Sequence, residues 1–258
     1  TALAIRRQIG QKIGEVASLN NLGSVLLDQG ELAAARRSFE SSLALCRKTG
    51  NKSASAHALF GLGEVLAREG RTEEARRRYE QAIALRTQLG EKGTLAESQL
   101  ALAAALLDAG DAPHAGELAR AAADELSRQG AASNEALARA VAALAAAAQG
   151  DAAQARQEID RALALTDEAQ DLRARLTVQL AAARLRRVKD PEAALREVAE
   201  QAARAGLLEL RLRADLALAE GAPEAQRQTR LATVAQEARS LGYGAIARQA
   251  LAAPAPRF

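Results

Sequence analysis

Apolar positions in this chain recur at intervals of three and four residues inside segments of roughly fifteen to eighteen residues, the spacing of one buried helical face. The segments themselves recur. Leu19, Leu22 and Leu26 precede Ala35 and Phe39, and forty residues on Leu59, Leu62 and Leu66 precede Ala75 and Tyr79. Gly30 returns at Gly70, Gly110 and Gly150, and Ala35 at Ala75, Ala115 and Ala155. A second series, Gly10, Gly50, Gly90 and Gly130, falls between them. Each unit thus carries two glycine breaks, and glycine readily takes the left-handed backbone on which helices often end. Between the breaks lie two helices. The second helices open alike, as in GELAAARRSF, GRTEEARRRY and GDAAQARQEI, with a polar or acidic first turn before the apolar stripe.

A strict repeat of this length predicts an all-α chain, stacked as antiparallel helix hairpins. One continuous domain over 1–258 is expected, with hairpins at 14–49, 54–89, 93–129, 132–166, 168–205 and 207–241. A short helix over 243–253 would cap the last apolar face, and the Ala-Pro-Ala-Pro run stops it. Ala2-Leu3-Ala4-Ile5-Arg6 matches Ala82-Ile83-Ala84-Leu85-Arg86, so residues 1–10 are expected to be the end of a truncated repeat that continues upstream. Composition agrees, since Ala, Leu, Glu, Arg and Gln dominate and strand-like alternation is lacking. Three Phe and two Tyr in 258 residues leave Leu and Ala to fill the interior.

The same residues exclude several chemistries. One cysteine rules out an internal disulfide, and Cys46 lies beside Leu43 and Leu45 as a small apolar residue. Two histidines and one cysteine give no zinc spacing, no strand precedes Gly61-Leu62-Gly63, and the Gly50-Asn51-Lys52-Ser53 slot reads Gly-Gln-Lys and Gly-Glu-Lys in neighbouring units. Neither a catalytic constellation nor a cofactor site is expected. No window reaches the length of a membrane span and no secretion core opens the chain, so a cytoplasmic location without membrane contact is expected. Thirty-five basic against thirty-two acidic residues give +3, too balanced for a general nucleic-acid surface. Arg184, Arg186, Arg187 and Lys189 remain a candidate basic patch for nucleic acid or another acidic partner.

The pattern Leu19, Leu22-Gly23, Leu26, Ala35, Phe39, repeated as Leu59, Leu62-Gly63, Leu66, Ala75, Tyr79, resembles the tetratricopeptide repeat. Leucine stands where that family commonly has tryptophan and tyrosine, and the unit is near forty residues, as in the extended repeats of bacterial multidomain signalling proteins. The resemblance implies a right-handed superhelical solenoid whose first helices line a concave groove. It also implies a non-catalytic scaffold or regulatory module that recognises a protein or peptide segment, joined to an output domain such as a serine/threonine kinase, a cyclase or a transcriptional activator. Carried onto this sequence, groove positions would be Asn20, Ser24, Asp28, His57, Phe60, Glu64, Arg68, Glu97, Leu100 and Asp108. Phe60 either anchors a ligand from the groove or packs between adjacent first helices. In the fourth copy the groove becomes an aliphatic stripe around Leu137, Ala140, Leu144 and Ala147. That stripe would receive an amphipathic helix, support self-association, or be buried by tight curling.

Overall fold

The computed structural model describes residues 11–166 and 171–252, which form thirteen α-helices and no strand. The expected repeat fragment at 1–10 lies outside the described residues. Six hairpins follow one another: α1 (Lys12–Asp28) with α2 (Leu32–Thr49), α3 (Lys52–Arg68) with α4 (Thr72–Leu89), α5 (Lys92–Asp108) with α6 (Ala112–Arg128), α7 (Ala132–Ala148) with α8 (Ala152–Thr166), α9 (Leu172–Arg184) with α10 (Pro191–Arg204), and α11 (Leu208–Glu220) with α12 (Glu224–Ser240). A final helix, α13 (Gly244–Ala252), packs on α12. Each helix touches its neighbours in sequence, and α1, α3, α5, α7, α9 and α11 also touch in succession, which makes the first helices an inner layer.

Local chemistry explains the breaks. Gly30, Gly70, Gly110 and Gly150 have φ between 78° and 88°, a region where a side chain would be strained. Asn51, Asp111, Asp151, Asp171 and Asp190 accept a backbone N–H in the first turns of α3, α6, α8, α9 and α10, so these five helix starts carry a side-chain cap.

Two aromatic rings key the first hairpins together. Phe39 of α2 is buried against Gly23 of α1 and Gly61 of α3. A Cβ on Gly23 would stand 2.7 Å from the ring, and one on Gly61 would meet it head on. Tyr79 of α4 is held likewise against Gly63, where a Cβ would lie 2.6 Å away. The Leu-Gly pair of α3 therefore has a packing reason: Leu62 fills the core while Gly63 admits the ring of the second helix. In α5 and α7 alanine replaces the glycine, at Ala103 and Ala143, and the ring gives way to Ala119 in α6 and Ile159 in α8, all four fully enclosed.

The solenoid curls until its two ends meet. α13 reaches α3 across the open side of the turn, and α11 faces the ends of α3 and α5 through charged side chains. The inner layer consequently encloses a channel rather than an open trough.

A candidate ligand channel

The channel has a volume of about 480 Å³. Its apolar wall is built by Leu107 of α5, Ala140, Val141 and Leu144 of α7, and Leu180 of α9. Arg173, Thr177, Leu180 and Arg184 are spaced four, three and four residues apart on α9, so they share one helical face, and all four border the channel. That face presents a polar–apolar stripe with a guanidinium at each end. The aliphatic stripe expected in the fourth copy is thus turned inward at Ala140 and Leu144, opposite α9, which removes it from any outer face where a second copy could pair with it.

Charged groups form the seam of the channel. Arg68 Nε lies 2.8 Å from Glu209, and Arg213 meets Asp108 with two bonds of 3.1 and 2.6 Å. Arg213 also reaches Glu209 at 3.1 Å, and Arg173 binds Asp28 at 3.1 Å. Burial alone would raise the Glu209 carboxyl, but Arg68 and then Arg213 hold it down at about 2, so it stays ionised across the neutral range. Burial likewise opposes the Arg213 charge, yet Asp108 and Glu209 raise its pKa. Arg68 additionally donates to the Leu27 carbonyl at 2.7 Å.

The residues assigned to the groove from sequence divide into three groups. Asp28, Arg68 and Asp108 line the channel, where they are engaged by the last hairpins. Asn20, Ser24 and His57 form a separate polar cluster between α1 and α3. Asn20 donates to the Ala54 carbonyl at 3.1 Å, Ser24 Oγ lies 3.3 Å from His57 Nε2, and burial, helped by Arg86, lowers the His57 pKa. Phe60, Glu64, Glu97 and Leu100 do not border the channel. Phe60 is half-buried with its ring 5.9 Å from that of Tyr79 and the Arg86 guanidinium 4.9 Å from its centroid, both contacts coming from the second helix α4. Glu64 accepts the Tyr79 hydroxyl at 2.7 Å, Glu97 accepts from Asn134 at 3.2 Å, and Leu100 packs beside Ala96 and Ala122.

The candidate basic patch is divided as well. Arg187 turns to Asp160 on α8 with bonds of 3.0 and 3.1 Å, Arg184 approaches Glu220 at 3.7 Å, and Arg186 sits at a turn with φ 54°. Lys189 is exposed in the same turn. Among the described residues no group of three His, Cys, Asp or Glu side chains could hold a metal ion, and no helix is long and apolar enough to cross a membrane. Arg173, Glu209 and Arg213 were missed from sequence. The only trace they leave there is an alternation of sign at one repeat position, Asp28, Arg68 and Asp108.

Residues 14–88, the stretch holding both Leu-Gly pairs and both rings, match the tetratricopeptide repeat family. Residues 14–88 are a tetratricopeptide-repeat region. No curated protein matches the sequence. Among solved structures, a Rap protein complexed with Competence and Sporulation Factor is 17% identical with a TM-score of 0.66, over 96% of this chain and 77% of that one. The apo form of RapI shares 10% identity and a TM-score of 0.66 over 96% and 94% of the two chains. Tetratricopeptide-like repeats of a kinesin light chain from Podosopora anserina share 19% identity and a TM-score of 0.56 over 74% and 95%. At these identities the likeness is one of fold alone.

Proposed function

We propose that this tetratricopeptide solenoid is a non-catalytic recognition module that takes a protein or peptide segment into its central channel. The observation that carries the reading is the channel wall, where an aliphatic strip of α5, α7 and α9 lies between Arg173 and Arg184. A volume of about 480 Å³ is in the range of small-ligand sites and suits a few side chains of an extended segment. Apolar area supplies the attraction, and the two guanidinium groups orient an acidic side chain or carboxylate at either end. The similar fold of a Rap protein complexed with Competence and Sporulation Factor supports a recognition role for this architecture. A cytoplasmic setting fits the lone Cys46 thiol, which is unpaired and buried.

The reading is tested by selecting a random peptide library against the protein and measuring the selected peptides by calorimetry. Leu144→Asp or Leu180→Asp places a charge on the apolar wall and is expected to weaken them at least tenfold at unchanged helicity. Equal affinity for both variants would place binding elsewhere and overturn it.

A further inference from the structure

The last residues of α1, α3 and α5 are Asp28, Arg68 and Asp108, the same repeat position with alternating sign. Facing them from later hairpins are Arg173, Glu209 and Arg213, alternating in the opposite order. Negative, positive, negative therefore meets positive, negative, positive across the channel.

A second contact lies beside this strip and is made by backbone. Gly244, at the start of α13, sits against the turn between α3 and α4 so closely that a Cβ there would fall on the Glu69 carbonyl oxygen. Gly70 of that turn meets Ala245, whose nitrogen would be 2.8 Å from a Cβ on Gly70. Tyr243 rests over Gly30, where a Cβ would come within 3.2 Å of its hydroxyl.

The apolar cores do not cross this seam. Leu212, Leu216, Leu231, Val234, Tyr243 and Ile246 form one cluster with the alanines of α11–α13, while Leu27, Leu32, Phe39, Leu62 and Val65 form another in the first hairpins. Parting the seam would uncover only the edges of the two cores, Tyr243 and Leu208 where they meet Gly30 and Leu32 where it meets Gly242. The ion pairs differ in exposure: Arg173 and Asp28 at the outer end are 47% and 62% accessible, and such a pair is weak and sensitive to salt, whereas Arg68, 10% accessible, and Glu209 form the firmer inner contact. A seam of polar contacts between two self-sufficient cores has the construction of a reversible contact.

We propose that α11–α13 are an intramolecular ligand of the first three hairpins, and that the strip of alternating charges with its glycine seat is a gate that closes the channel until a partner segment displaces it. The proposal deepens the recognition reading given above, yet its test needs no ligand, so either can fail alone. Opening requires only a small change of pitch at each hairpin, because a solenoid contacts itself mainly between neighbours.

Hydrogen exchange of the intact protein reads the gate directly. Asp108→Arg sets like charges together at the strip, and Gly244→Ala displaces the seat without altering any charge. Each is expected to speed exchange in α13 and α11 about tenfold while α7 and α8 keep their protection. Asp108→Arg combined with Arg213→Glu restores that one pair but sets a new carboxylate beside Glu209, so only part of the lost protection is expected to return. Raising the salt concentration should act as the single reversal does, more mildly. Unchanged exchange at α13 in both single variants overturns the proposal, as does equal acceleration in α7 and α8, or a double variant no better protected than Asp108→Arg.

Discussion

The second and fourth hairpins solve one packing problem with opposite materials. Around α3 and α4 a ring meets a glycine, Tyr79 on Gly63, and Phe39 enters from α2 onto Gly61. Around α7 and α8 neither ring nor glycine is present; Ile159 and Ala162 of α8 meet the alanines of α7, and the polar triad Glu135, Arg139 and Glu158 is buried with them, its bonds 2.7 and 3.0 Å long. A large side chain supplies apolar area at a distance. Small side chains let backbones approach but bury less, and the triad then ties α7 to α8 through directed bonds. The hairpin is therefore kept with facing pairs of different size, Tyr79 on Gly63 and Ile159 near Ala143, the smaller contact being supplemented by polar bonds.

The comparison can be broken most strongly at Phe39. Phe39→Ala leaves two glycines facing empty space, and a loss of about 4 kcal/mol is expected in urea denaturation followed by helicity. Next comes Arg139→Met, which strands two carboxylates and is expected to destabilise by about 3 kcal/mol. Replacing Glu135, Arg139 and Glu158 together by Leu, Met and Leu sharpens the contrast, because stability should return to within about 1 kcal/mol of the parent if the triad serves as filler and tie. Tyr79→Phe keeps the ring and removes only the 2.7 Å bond to Glu64, for an expected loss of about 1 kcal/mol. The smallest effect concerns acidity. His57 is held neutral by burial, so its contribution is fully present above its ordinary value of 6.5 and declines as pH falls below it, when the unfolded chain takes up the proton first. Exchange in α1 and α3 between pH 7 and 5 reports it, and His57→Gln should flatten that slope.

The all-helical hairpin fold was legible because its information is local: glycine at fixed intervals, leucine and alanine at helical spacing, and rings at matched positions. What was illegible depends on neighbours. Leu22 and Leu62 hold the same register, yet Leu62 is 4% exposed and Leu22 is 41% exposed, because only Leu62 has a described hairpin packed on its far side. Phe60 looked suited to a groove, but Arg86 and Tyr79 reach it from the second helix, and no spacing rule announces that contact. Arg173, Glu209 and Arg213 act across more than a hundred residues, so their role follows from how far the superhelix turns, a sum of small angles that the repeat alone does not fix.

The alternation of sign at the ends of α1, α3 and α5 also counts. The late row is carried by two helices, Arg173 on α9 and Glu209 with Arg213 one turn apart on α11. Were a hairpin duplicated or deleted between the early and late copies, α11 would no longer arrive opposite α3 and α5, and Arg68 and Asp108 would lose the partners that now neutralise them. The charged strip thus ties one particular number of units to an architecture that could otherwise lengthen freely.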